Sequence, residues 1–462
     1  MSLVNLFSSI KKVAVLGFGK EGISSARFLT EKYNLYPDIL DKNRDIRLDP
    51  ELEKKLVSGG SKFNFGDSYL DNLSDYDLVI RSAGVSIESA EIRSAKEKGV
   101  KFVTNTGLFF RYLKDKQLNQ KIIGVTGTKG KSTTTTLIHR VIKDNLDENA
   151  VLAGNIGIAP TELIDQAINA KFIILEMSSY QLCDLDFSPH ISVIQGIVPE
   201  HLDFHHTFQN YFNAKSRIVE FHDSESIVIF NADNENSTKL ANRSPGLKIG
   251  FSVYNNDAEY VRSGDRLIEN YQENSLFKLS NSPLLGEFNI YNIFPALIVG
   301  KILKILNFAV QESIISFRPL PHRLEPINGA NNILFVNDSL STVPESAAQA
   351  LEVFQNRDVI LIAGGYDRGL EFDLLADAIK KSKVKKLILF RPTGEKIITS
   401  LVSKTLDLPV HIFVESMEEA VRVAKESSSS GDVVLLSPGS PSFGLFKDYS
   451  DRGDQFKRLA LS

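Results

Sequence analysis

The chain has one cysteine, Cys183, in 462 residues. No internal disulfide can therefore hold it together, and a reducing compartment is expected. It also lacks any apolar run near the ~18 residues that a membrane-spanning helix needs. The N-terminus, Met1-Ser-Leu-Val-Asn-Leu-Phe, has no basic residue ahead of its short apolar stretch. No signal peptide is expected from it, and the expected location is the cytoplasm. Basic residues are not in excess: 53 Lys and Arg stand against 57 Asp and Glu, a net charge of −4, so a broad nucleic-acid-binding face is not expected. There is no internal repeat, and the only low-complexity tract, Ser427–Ser430, is short enough for a surface loop. With 42% hydrophobic and 24% charged residues the composition is that of a soluble globular protein, and the length suggests roughly two to four domains.

The most informative segment is residues 121–132, Lys-Ile-Ile-Gly-Val-Thr-Gly-Thr-Lys-Gly-Lys-Ser. Ile122, Ile123 and Val125 read as a buried strand, and Leu137, Ile138, Val141 and Ile142 recur at helical spacing after the turn. A glycine-rich turn between a strand and a helix is a phosphate cradle: Gly127 and Gly130 let backbone N–H groups converge, and the helix adds its positive end. Lys131 supplies a charge and Ser132 a hydroxyl for magnesium, so a nucleoside triphosphate is the expected ligand. Val125 stands where the eight-residue template has its first glycine. The cradle is therefore a shortened variant, and a plain strand–turn–helix is the alternative.

Apolar β-branched runs alternate with helical patterns along the chain, and the alternation starts three times, which predicts an α/β protein of three domains. The first, residues 1–118, opens with strand Val13–Leu16, turns through Gly17-Phe18-Gly19-Lys20-Glu21-Gly22, and reaches a strand over Tyr36–Leu40 that ends on Asp41. This Gly-x-Gly-x-x-Gly arrangement predicts a Rossmann-like domain holding a dinucleotide or another diphosphate-bearing ligand. The second domain, residues 119–318, carries the cradle. Arg318-Pro319-Leu320-Pro321 breaks the preceding helix and reads as a hinge. The third, residues 319–462, carries strands over Ile333–Val336, Val359–Ile362, Leu387–Phe390 and Val433–Leu436. Each runs into a polar or glycine-rich loop at its carboxyl end, where open α/β sheets bind ligands.

Other positions carry possible chemistry. Strand Lys171–Leu175 delivers Glu176, a carboxylate at the end of a buried strand, where it needs a partner or a metal; this makes it a magnesium candidate. Pro199-Glu200-His201-Leu202-Asp203-Phe204-His205-His206 could be read as a zinc cluster, but no cysteine or second acidic motif stands at a zinc spacing, and surface positions are expected for His205 and His206. Taken alone, Lys215 reads as a solvated helix lysine, and Arg323 either clamps phosphate or pairs with a surface acid.

Together these segments resemble the Mur ligase family across nearly the whole chain. The resemblance rests on Gly127–Ser132, Gly154-Asn155-Ile156-Gly157, Glu176-Met177-Ser178-Ser179-Tyr180-Gln181, Glu200-His201-Leu202-Asp203, Ala214-Lys215-Ser216-Arg217 and Asn231-Ala232-Asp233. It continues in the same order through Gly286 to Asn292, Pro321-His322-Arg323-Leu324-Glu325, Asn337-Asp338-Ser339 and Leu436 to Phe443. It implies a Rossmann-like first domain that holds UDP rather than NAD, a central P-loop ATPase-type parallel sheet, and a Rossmann-like third domain that binds the amino acid and part of ATP. The implied activity joins D-glutamate to UDP-N-acetylmuramoyl-L-alanine through an acyl phosphate, in peptidoglycan precursor biosynthesis, by a cytoplasmic monomer.

The resemblance also assigns roles. ATP would lie on Gly127, Thr128, Lys129, Gly130, Lys131, Ser132 and Thr133, with Asn289 and Asn292 toward adenine, Arg323 on the γ-phosphate and Asp338 on the ribose. One magnesium would sit on Ser132 and Glu176, a second on His201 and on Lys215, which the family carries as a carbamate. Lys131, His201, Lys215 and Arg323 are the implied catalytic residues. The UDP substrate would meet Gly19, Lys20, Glu21, Asp41, Lys42, Ser82, Gly84, Asn155 and His201. The amino acid would meet Thr342, Arg368, Ser442 and Tyr449. Sites on separate domains imply closure around the hinge.

The chain departs from the pattern in three places. Lys129 stands where the family commonly has asparagine, Leu340 where glutamate-adding members have lysine, and Arg368 where lysine is usual. L-glutamate and an alanine-adding specificity are the alternatives inside the family. Outside it stand an NAD-dependent oxidoreductase fused to an NTPase and a regulatory nucleotide-binding module.

Overall fold

The computed structural model describes residues 3–8, 10–116, 121–254, 257–270, 275–404 and 408–462. The expected boundary at residues 118 and 119 lies outside them. The strands form three sheets, and the predicted α/β class holds.

The first sheet contains β1 (Val13–Leu16), β2 (Asp38–Asp41), β3 (Phe63–Phe65), β4 (Leu78–Arg81) and β5 (Lys101–Thr104) in the order β3-β2-β1-β4-β5, every pair parallel. β1 and β4 are buried at every residue, as strands covered on both faces must be. The chain moves one way from β1 to β2 and returns on its other side at β4. A crevice therefore opens at the carboxyl ends of β1 and β4.

The second sheet contains β6 (Lys121–Thr126), β7 (Val151–Gly154), β8 (Phe172–Glu176), β9 (Ile191–Ile194), β10 (Ile227–Asn231), β11 (Leu247–Ser252), β12 (Tyr260–Ser263), β13 (Arg266–Glu269) and β14 (Ser275–Lys278). Their order is β14-β13-β12-β11-β10-β9-β6-β8-β7. β6 lies between β8 and β9, so the turn after β6 is flanked by the ends of both. The outer strands β12, β13 and β14 pair antiparallel as hairpins.

The third sheet contains β15 (Glu325–Asn328), β16 (Leu334–Asn337), β17 (Val359–Gly364), β18 (Val384–Phe390), β19 (Val410–Val414) and β20 (Val433–Leu436), in the order β15-β16-β20-β17-β18-β19. Only β15 runs antiparallel to its neighbour. Successive residues face opposite sides: Val359 and Leu361 enter one core with Val433 and Leu435, while Ile360 and Ile362 enter the other with Val434 and Leu436.

The described chain divides into two compact units, residues 1–281 with 290–315, and residues 282–289 with 316–462. The first unit carries two sheets over one continuous core, in which Val15, Leu29 and Phe109 belong with Leu163, Leu185 and Tyr211. Polar struts reinforce that core. The buried Arg81 guanidinium grips Asp184 with two hydrogen bonds of 2.9 and 2.8 Å, and Gln181 Nε2 donates to Glu21 Oε1 at 2.7 Å. Among the described residues no helix is long and apolar enough to cross a membrane.

Candidate active site

β6 feeds its buried residues into the turn Gly127–Gly130, and the helix Lys131–Asn145 begins directly after it. Gly127 has φ +150°, and a Cβ there would stand 2.5 Å from Gln195 Cβ; Gly130 has φ +82°, and a Cβ there would stand 2.5 Å from Asn292 Oδ1. Both glycines are therefore required by space and by conformation. Gln195 was not legible as part of the turn, yet its Nε2 donates to Thr134 Oγ1 and to Tyr291 O at 2.8 Å and braces the cradle from the end of β9. Asn292 accepts from Thr134 Oγ1 at 3.0 Å, so it too is tied to the cradle helix. Thr128 shares a 2.8 Å hydrogen bond with the Tyr211 hydroxyl, Thr133 is buried, and Lys129 projects outward to pair with Glu200 at 2.7 Å.

Two lysines meet behind this turn. Lys131 Nζ donates to Gly127 O at 3.0 Å and to Thr128 O at 2.9 Å. Lys215 Nζ donates to the same Gly127 oxygen at 2.8 Å and to Thr126 Oγ1 at 3.3 Å. The solvated-lysine reading of Lys215 is wrong: it is 1% exposed, on the inward face of the helix Phe208–Glu220, with its Nζ 4.9 Å from the Tyr211 ring centre. Burial, reinforced by the nearby Lys131 charge, holds its amine well below the ordinary lysine pKa.

Glu176 ends β8 beside Val125 of β6 and is buried. Its Oε1 accepts from Asn155 Nδ2 at 2.7 Å, while Oε2 is buried without a hydrogen-bond partner. An orphaned carboxylate oxygen next to a phosphate cradle suits a divalent cation, and the Ser132 hydroxyl, at the start of the cradle helix, is a second oxygen of the right chemistry. No group of three or more His, Cys, Asp or Glu that could hold a metal occurs among the described residues.

His201 is exposed, with φ +55°, a backbone conformation that non-glycine residues rarely adopt, and its ring lies 5.0 Å from that of Tyr180. Partial desolvation lowers its pKa against the pull of Glu200. The expectation for His205 is corrected. Its side chain is buried, its Nε2 meets Ser179 Oγ at 3.0 Å, and burial pushes its pKa down to about 4; His206 is exposed as expected.

At the carboxyl ends of β1 and β4, Gly19, Lys20, Glu21, Asp41, Ser82, Gly84 and Asn155 line one cleft of about 540 Å³. Gly17 has φ +83°, and Ser82 Oγ donates to its carbonyl at 2.5 Å. Asp41 takes the backbone N–H groups of Phe18 (2.5 Å) and Asn43 (2.7 Å), so it shapes the turn. Both Glu21 oxygens are engaged, by Gln181 and by the Ala83 N–H. Lys42 is exposed and, like His201, is not among the lining residues, although Tyr180 beside His201 is.

In the second unit, Asp338 is buried after β16 and accepts from Ser341 Oγ at 2.5 Å, Ser437 Oγ at 2.8 Å and Leu324 N at 3.1 Å. Burial raises its pKa to about 6 against those hydrogen bonds. Arg323 is exposed between His322 and Leu324, which both have positive φ. Asn289 belongs to this unit, where its Nδ2 donates to Leu285 O at 2.6 Å. Arg368 lies over the Phe443 ring at 5.4 Å, and Tyr366 meets that ring edge-on at 5.8 Å. Ser442 is buried, Thr342 is partly buried, and Tyr449 is exposed near His322.

Three family models fall on this arrangement: the Mur ligase MurD-like N-terminal domain over residues 11–104, the Mur ligase middle domain over 125–300, and the Mur ligase glutamate ligase domain over 322–439. The UDP-N-acetylmuramoylalanine–D-glutamate ligase of Acetivibrio thermocellus is 33% identical over 98% of this chain and 96% of its own length. The chain belongs to the Mur ligase family. It is thus an enzyme of an ATP-dependent, amide-bond-forming class at work in peptidoglycan synthesis. The fold is shared with solved members. UDP-N-acetylmuramate–alanine ligase from Thermotoga maritima superposes with a TM-score of 0.58 at 21% identity, over 97% of this chain and 98% of that one. MurF ligase from Thermotoga maritima, solved with ADP, gives 0.57 at 15% identity, over 98% and 95%.

Proposed function

We propose that this Mur ligase joins D-glutamate to the alanine carboxylate of UDP-N-acetylmuramoyl-L-alanine, with cleavage of ATP. The observation that carries the reading is the meeting of Lys131 and Lys215 on one carbonyl oxygen, next to an orphaned Glu176 oxygen. A P-loop lysine alone fits any nucleotide-binding protein, whereas a second, buried lysine with a depressed pKa supports the carbamate chemistry of this family. Carbon dioxide would add to the deprotonated amine, with loss of one proton, to leave an anionic carbamate.

Lys131 and the N–H groups of Gly127–Ser132 would hold the triphosphate, and Arg323 would meet the γ-phosphate. Magnesium fits Ser132 and Glu176, with the Lys215 carbamate and His201 as a second set, and when bound it would neutralise charge on the phosphate oxygens. The substrate carboxylate attacks the γ-phosphorus and ADP leaves; the amine of glutamate then attacks the acyl carbon and phosphate leaves. The protein's part is orientation and charge stabilisation by Lys131 and Arg323. The cleft of Gly19, Lys20, Asp41, Ser82 and Asn155 is assigned to the UDP moiety, and Thr342, Arg368, Ser442 and Tyr449 to glutamate. Residues 1–118, 119–318 and 319–462 would be the corresponding domains. The relatives' D-glutamate specificity supports the choice of amino acid.

Purified protein supplied with UDP-N-acetylmuramoyl-L-alanine and ATP should incorporate D-glutamate in preference to L-glutamate, alanine, lysine or diaminopimelate. Faster incorporation of any of these others would overturn the assignment.

A further inference from the structure

Among the described residues two arginines are fully buried, Arg81 and Arg452, and they are treated differently. Arg81 grips Asp184, and its guanidinium is held above the ordinary arginine pKa. Arg452, on the helix Tyr449–Leu461, is 0% exposed and bonds only to neutral oxygens: Nε donates to Ser339 Oγ at 3.0 Å, Nη1 to Ser440 O at 2.9 Å and Nη2 to Ser339 O at 2.8 Å. Among the described residues no carboxylate forms an ion pair with it. The acids on its own helix are turned elsewhere. Asp448 accepts from the Asp451 N–H, Asp451 from the Lys447 N–H and Gln455, and Asp454 lies 3.8 Å from His322. Burial accordingly drags the guanidinium down to about 9.

A buried cation without a counter-charge costs several kcal/mol, and a fold that only needed three hydrogen bonds could use a neutral side chain. The expense makes sense where a ligand brings the missing anion. Arg452 is fastened to the loops after β16 and β20. The glycine turn after β17 closes over it: a Cβ on Gly365 would stand 3.6 Å from Nη1 and 2.6 Å from Pro441 O. Tyr366 N donates to that same Pro441 oxygen at 3.0 Å. The cation thus underlies the residues from which Thr342, Arg368 and Ser442 project, without reaching the surface.

We propose that Arg452 is a positioning residue that acts as the buried counter-charge of the amino-acid subsite, favouring a dicarboxylate over a monocarboxylate of the same shape. This rests on the glutamate reading above. It goes further by assigning part of the preference to a group that never touches the substrate.

The wild-type enzyme is measured first, because failure to use glutamate would remove the underlying reading before any variant is made. Full-length Arg452→Gln and Arg452→Lys are then compared for the KM of D-glutamate, the KM of ATP and the inhibition constant of D-glutamine, which has the same shape and one charge fewer. Loss of charge in Arg452→Gln should raise the KM for glutamate about tenfold or more, with D-glutamine and ATP changed less than threefold. Arg452→Lys keeps the charge and should stay within threefold of wild type for all three. Equal weakening of glutamate and glutamine in a folded Arg452→Gln enzyme would mean a merely structural arginine. If Arg452→Gln does not fold, Arg452→Lys decides: glutamate and glutamine affinities near wild type support the proposal, and parallel losses overturn it.

Discussion

Replacing Lys215 by methionine should separate stability from turnover. In the structure, Lys131 Nζ and Lys215 Nζ lie 3.0 and 2.8 Å from one oxygen, so the two nitrogens are less than about 6 Å apart. Were both amines protonated, they would repel by on the order of 3 kcal/mol at an effective dielectric of about 20, which is part of what holds the Lys215 amine below its ordinary pKa. Lys215 also loses hydration on burial, and its two hydrogen bonds and the Tyr211 ring return only part of that. Methionine fills similar volume with no charge to bury. The thermal midpoint of Lys215→Met should therefore equal or exceed that of wild type, while amide formation falls by at least ~10²-fold, the scale for a lost charge-organising group. Differential scanning fluorimetry and a coupled phosphate assay at saturating substrates read the two quantities. Near-normal turnover would refute the role of Lys215, and a destabilised protein would refute the account of a strained lysine pair.

Lys131→Ala should keep the fold and lose at least ~10²-fold in turnover, read by the same phosphate assay, since it removes the cradle's charge at the phosphoryl centre. Arg368→Ala should raise the KM for glutamate by roughly 10-fold or more while the KM for ATP stays within about twofold, the cost of a charge-assisted hydrogen bond to one ligand only. Asp338 gives a pH signature. Its pKa rises from 3.8 to about 6 on folding, so its contribution to stability is fully present below 3.8 and is lost as the pH rises through 6. Urea unfolding of wild type and Asp338→Asn should thus diverge, with wild type gaining relative to the variant by about 2–3 kcal/mol between pH 7.5 and pH 4. Parallel pH profiles would contradict this.

Strand positions were legible where burial and chain direction agree. Val13–Leu16, Ile191–Ile194 and Val433–Leu436 occur as expected, each a short β-branched run between polar turns. The strand expected over Lys171–Leu175 is shifted to Phe172–Glu176, because Glu176 still pairs with Val125 and Gly154 although it is polar. The strand expected from Tyr36 begins at Asp38, past Pro37, which has no N–H to give to a ladder. The edge hairpins β12 to β14 had no distinctive pattern.

In the site, the glycine turns announced themselves because left-handed backbone and close approach need glycine locally, as at Gly17, Gly127 and Gly130. Positions that depend on distant partners did not. Lys215 and His205 have the sequence context of surface residues and are buried because Thr126, Gly127, Tyr211 and Ser179 come to meet them. Gln195 and Arg452 give no local signal, since each acts by linking loops far apart in the chain.

In the proposed reaction the substrate carboxylate attacks ATP before the amine of glutamate arrives. UDP-N-acetylmuramoyl-L-alanine labelled with oxygen-18 in its terminal carboxylate tests it most directly, with the released phosphate analysed by mass. One labelled oxygen should appear in phosphate for each D-glutamate joined. Unlabelled phosphate accompanying amide formation would contradict this order of events.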